Sequence, residues 1–143
     1  MFFLRGEKKF PYGDLPHTDF KIPELTIEIR SPREGGRSGK VKAFLDTGAD
    51  RTFIPESIIT RIGEEYFDYG VGVEVKGAGT AKEDRPTYIV NLGFAGSEIR
   101  DIEVVSIESQ YALIGRDILN KHTVVLNGRK DKWLLDIKSV ELE

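Results

Sequence analysis

Asp46-Thr47-Gly48-Ala49-Asp50 follows the apolar run Val41-Lys42-Ala43-Phe44-Leu45 and precedes Thr52-Phe53-Ile54-Pro55. This order puts a carboxylate on a tight loop at the end of a strand, where it could serve as a general acid or base. Asp, Thr and Gly also build ordinary turns, so the triplet gains meaning only from its surroundings. Far downstream, Leu113-Ile114-Gly115-Arg116-Asp117-Ile118-Leu119 joins an apolar strand to a short helix through a Gly. The chain has no second Asp-Thr-Gly. Chemistry that needs two such carboxylates would therefore need a second copy of the protein.

The elements that must hold this loop are short strands. Leu25, Ile27 and Ile29 alternate with Thr26 and Glu28, which predicts a half-buried strand, and Pro32 with Glu34-Gly35-Gly36 ends it. Val41 to Leu45 is the next strand. Pro55 and Glu56 followed by Ile58, Ile59 and Ile62 predict a short helix that stops near Gly63. Val71, Val73 and Val75 lead into Gly77-Ala78-Gly79-Thr80-Ala81, and a strand pattern resumes over Thr87 to Leu92, which reads as a hairpin with a glycine-bearing tip. Ile99 to Val105, Ala112 to Ile114, His122 to Leu126 and Lys132 to Ile137 follow as strands, with a second short helix after Gly115. Asn127-Gly128 is the strongest two-residue hairpin signal. Many short strands with two helical turns predict a closed or sandwiched all-β domain. Residues 1–24 carry Pro11, Gly13, Pro16 and Pro23 without a period, and read as an N-terminal arm or irregular segment ahead of a domain over residues 25–143.

Composition narrows the chemistry further. The 143 residues are 39% hydrophobic and 31% charged, with a formal charge of −3 and dispersed positive residues. Nucleic acid is a poor partner for such a surface, because phosphate binding needs concentrated positive charge. No apolar run reaches the length of a membrane span. Met1-Phe2-Phe3-Leu4 is followed at once by Arg5, Glu7, Lys8 and Lys9, the reverse of signal-peptide order, so the chain reads as cytoplasmic. Absence of Cys excludes disulfides, thiolate nucleophiles and Cys-based zinc sites. His17 and His122 are the only histidines, so no metal is expected. Gly77-Ala78-Gly79 lacks the third Gly or the Gly-Lys-Ser/Thr of a phosphate loop, no cofactor is implied, and Trp133 with Leu135 and Ile137 reads as core.

Phe44-Leu45-Asp46-Thr47-Gly48-Ala49-Asp50-Arg51-Thr52, together with Leu113-Ile114-Gly115-Arg116-Asp117-Ile118-Leu119, resembles the two signatures of the retropepsins. These are the single-domain aspartic proteases of retroviruses and their stand-alone cellular and bacterial relatives. The resemblance covers roughly residues 25–137 and implies a closed acid-protease β-barrel with one or two short helices, active as a homodimer. It implies an aspartic endopeptidase in which Asp46 of each of two chains activates a water between them, with Thr47 and Gly48 shaping the catalytic loop. It also implies substrate contacts from Ala49, Asp50, Arg51 and Ile114, and from a flap at Gly77, Ala78 and Gly79. Arg116, Asp50 and Gly115 take structural or dimer-contact roles by the same likeness. Arg51 at the rim would favour acidic or polar residues near the cut. The flap tip lacks the large apolar residue of many retroviral flaps, and the N-terminal arm has no counterpart in the short viral enzymes. The alternative is a retropepsin-like module that dimerises or binds peptides with little or no hydrolysis.

Overall fold

Alternation in Leu25, Ile27 and Ile29 does what a period of two requires: in strand β2 (Lys21–Arg30) all three side chains are buried. The computed structural model describes residues 8–33, 35–76 and 81–136. β2 pairs antiparallel with β3 (Ser38–Leu45), and β3 pairs parallel with β10 (Ala112–Ile114). β10 pairs antiparallel with β4 (Phe53–Pro55), which runs parallel to β9 (Ser97–Ile107). β9 pairs antiparallel with β8 (Thr87–Phe94), and β8 returns to β2 through Glu28 to Arg30 against Asn91 to Gly93. Six strands therefore close on themselves, which removes the open edges from this ring.

The barrel encloses Ile27, Ile29, Ile54, Val90, Leu92, Val104 and Ile114, all with 1% exposure or less. β4 and β10 are only three residues long, but Ile54, Ala112 and Ile114 have no exposed surface. These two short strands lie at the centre of the sheet and hold the loop of residues 46–52 between β3 and β4. Helix α1 (Glu56–Ile62) follows Pro55 directly and turns Ile58, Ile59 and Ile62 into the core. It ends at Gly63, whose φ of +122° is out of reach for most side chains and whose N–H donates to the Ile59 carbonyl at 2.8 Å. A 3-10 turn over Glu64–Tyr66 and strand β5 (Asp68–Tyr69) lead on, and helix α2 (Arg116–Leu119) is a single turn. No helix among the described residues is long and apolar enough to cross a membrane.

Three elements differ from the sequence-based expectation. The pattern predicts no regular element before Leu25, yet β1 (Lys8–Asp14) pairs with β12 (Lys132–Leu135) and then with the start of β2. Its alternation is broken by Pro11 and Gly13, so the strand is made by its neighbours. Phe10 stacks on Trp133 with ring centroids 4.4 Å apart, and the Trp133 indole N–H donates to the Glu24 carbonyl at 3.0 Å. Second, β6 (Val73–Val75) does not pair with Thr87 to Leu92 but with β7 (Glu83–Arg85). β7 is charged because it lies outside the barrel and carries no core face. Third, Asn127-Gly128 does not make a two-residue turn. β11 (Val124–Asn127) pairs Asn127 with Lys132, so the loop has four residues, and its left-handed position is Asp131 at φ +52°.

Candidate active site

The chain turns sharply after Leu45, and backbone hydrogen bonds fix that turn from both sides. The Asp46 N–H donates to the Ile114 carbonyl at 2.9 Å and the Ala49 N–H to the Asp46 carbonyl at 3.1 Å. The Arg116 N–H then reaches the Ala49 carbonyl at 2.8 Å. Gly48 donates its N–H to Asp46 Oδ1 at 3.0 Å, which orients the carboxylate. Asp46 is half-buried, while Thr47 and Gly48 are exposed. Gly115 has to be Gly: a Cβ there would collide with the Arg51 carbonyl and crowd that of Ala49.

Beneath the loop lies a buried polar clamp. Thr52 has no exposed surface; its N–H donates to Asp117 Oδ2 at 2.9 Å and its hydroxyl to Asp117 Oδ1 at 2.7 Å. The same hydroxyl accepts the Gly115 N–H at 3.1 Å. Every polar group in this clamp thus has a partner, as burial demands. On the outer side Arg116 ion-pairs with Asp50 and donates from Nη1 to the Thr47 carbonyl at 3.3 Å.

The loop faces a cleft of about 590 Å³ lined by Asp46, Gly48, Ala49, Asp50, Arg51 and Phe53 on one side. Val73, Glu74, Val75 and Lys76 of the β6–β7 hairpin line the other, with Val105 between them. The half-buried Val73 and Val75 are the inward residues of β6, while Glu74 is exposed and pairs with Lys82 at 3.4 Å. Arg51 is not a free surface cation: its Nη2 lies 3.2 Å from Glu103 Oε1. Glu103 also accepts the Thr87 hydroxyl at 2.6 Å and the Val71 N–H at 2.9 Å. Those bonds, the Thr87 hydroxyl first, hold its carboxyl below the usual carboxylate range; burial pushes the other way, and the Val71 N–H and Arg51 add to the lowering.

Asp46, Gly48, Ala49, Asp50 and Arg51, expected at the site from sequence, therefore meet at one cleft, with Thr47, Gly115 and Arg116 bracing the loop. Ile114 does not reach it: its side chain is fully buried in the core, and only its carbonyl serves the loop. Gly77, Ala78 and Gly79 lie outside the described residues. Sequence reasoning missed Thr52, Asp117 and Glu103. Asp117 stands inside the second motif, and its place beside Arg116 was the available signal; Glu103 had none, because its partners are 16, 32 and 52 residues away.

Residues 35–121 match a family model described as "gag-polyprotein putative aspartyl protease". No curated protein sequence matches the chain. Among solved structures it is similar to the EIAV protease complexed with the inhibitor HBY-793, at 19% identity over 75% of this chain and 93% of that one, TM-score 0.49. It is also similar to a retropepsin-like aspartic protease from Rickettsia conorii, at 18% identity over 81% and 95%, TM-score 0.47. The retroviral protease-like domain of Ddi1 from Leishmania major gives 18% identity over 92% and 90%, TM-score 0.48.

Proposed function

Because the chain belongs to the family of gag-polyprotein aspartyl proteases, we propose that it is a retropepsin-like aspartic endopeptidase whose site is completed by a second copy. The observation that carries this reading is the position of Asp46: one carboxylate, held by its own loop N–H at 3.0 Å, at the floor of a cleft roofed by the β6–β7 hairpin. A single carboxylate cannot serve as base and acid at once, and the chain supplies one Asp-Thr-Gly.

Two Asp46 side chains brought face to face would share one proton, since two negative charges at close range are costly. The ionised member takes a proton from water as the water oxygen attacks the peptide carbonyl carbon. The protonated member donates to the carbonyl oxygen. Collapse of the tetrahedral intermediate breaks the C–N bond, and the leaving nitrogen takes up a proton from the dyad. Thr47 and Gly48 are exposed beside Asp46; in this reading the Thr47 hydroxyl would bond to the partner loop, and the small Gly48 would leave room for the backbone of an extended peptide. Phe53, Val73, Val75 and Val105 give the cleft apolar walls, which suits a peptide with apolar side chains beside the cut.

Asp46→Asn tests the reading. It should abolish cleavage of a denatured protein or a peptide library and leave the circular dichroism spectrum unchanged. Wild-type protein that cuts nothing between about pH 3 and about pH 8 at high concentration would refute the enzyme.

A further inference from the structure

Glu103 lies outside both sequence motifs, yet its carboxylate meets three separate parts of the chain. Oε1 faces Arg51, the residue after Asp50 on the catalytic loop, at 3.2 Å. Oε2 accepts the Thr87 hydroxyl at 2.6 Å and the Val71 N–H at 2.9 Å. The buried Thr87 hydroxyl accepts in turn the Gly72 N–H at 2.9 Å. Val71 and Gly72 form the leg that enters β6, so one side chain spans the floor and the roof of the cleft. The fit is close: a Cβ on Gly70 would collide with the Glu103 and Thr87 side chains. The second leg is held independently, by Arg85 Nε donating to the Ser106 carbonyl at 2.7 Å.

An exposed Arg–Glu pair alone would count for little. Here the carboxylate also satisfies donors on two other elements, and losing it strands them. We propose that Glu103 is a positioning residue that couples the catalytic loop to the first leg of the flap hairpin, so that a peptide seated against Arg51 also sets the height of the roof above it. Its effect on catalysis rests on the proteolytic reading; the coupling is a property of the folded chain.

Amide hydrogen exchange followed by NMR in Glu103→Ala and Glu103→Gln tests the coupling without any substrate. The Gly70 N–H donates to the Thr87 carbonyl at 2.9 Å and does not use the carboxylate, so it is the internal control. In Glu103→Ala the Val71 and Gly72 amides should exchange roughly tenfold faster or more, with Gly70 unchanged. Glu103→Gln should fall between, because its amide oxygen still accepts while the ion pair is gone. Unchanged rates at Val71 and Gly72 would overturn the proposal, as would an equal rise at Gly70. In peptide hydrolysis Glu103→Ala should raise KM roughly tenfold and change kcat much less; a lower kcat at constant KM would overturn the coupling. Failure of the wild type to cleave any peptide would remove the protease reading and leave the exchange result to decide the coupling.

Discussion

Thr52 has no contact with solvent, and both its N–H and its hydroxyl go to one carboxylate, Asp117. Removing that carboxylate leaves two buried donors without acceptors. Asp117→Ala should lower stability by about 2–3 kcal/mol, read as a lower urea midpoint at constant slope, and should disturb the loop that Thr52 follows. Glu103 makes a pH-dependent contribution. Its carboxyl is held below the ordinary carboxylate range in the folded chain and returns to that range on unfolding. The stabilisation is therefore complete above the unfolded value and is lost as pH falls through the folded one, which lies below the ordinary carboxylate range. The urea midpoints of wild type and Glu103→Gln should differ most near neutral pH and converge as acid protonates Glu103. At this scale the sequence was legible where function is local. Asp46, Gly48 and Asp50 announce themselves by adjacency, and Gly115-Arg116 by an apolar strand that opens a short helix through a Gly. The polar partners of Thr52 and Glu103 were not legible, because a hydrogen bond across 65 or 52 residues leaves no spacing to recognise.

Strands with a core face were readable and strands without one were not. β2, β3 and β8 carry alternating or continuous apolar residues, and they lie near their expected places. β7 is Glu83-Asp84-Arg85, pairs among the described residues with β6 alone, and shows no period that could reveal it. The β6–β7 hairpin is thereby shorter than the pattern suggests, and β8 is left free to close the barrel against β2. β1 is the opposite case: a sequence broken by Pro11 and Gly13 becomes a strand because β12 and β2 offer it partners. Its anchor is Phe10 on Trp133. Phe10→Ala should cost about 2 kcal/mol, and Trp133, the only Trp in the chain, gives a fluorescence signal for the change.

For the whole molecule, the decisive fact is a single Asp-Thr-Gly per chain. If two copies share the site, activity per chain must fall on dilution as the dimer dissociates. Constant specific activity in a demonstrated monomer would sink the shared site; the measurement is progress curves across a dilution series, matched to sedimentation. The closed barrel also has a temporal side. The Asp-Thr-Gly loop is held by the Ile114 carbonyl and by Arg116, which reaches Thr47 across 69 residues of chain. At ribosomal rates of roughly 5–20 residues per second, the loop waits about 3 to about 14 seconds for those braces to be synthesised. A nascent polypeptide thus carries this loop unbraced until Ile114 and Arg116 have been made, and the order of synthesis sets when the loop can take its shape.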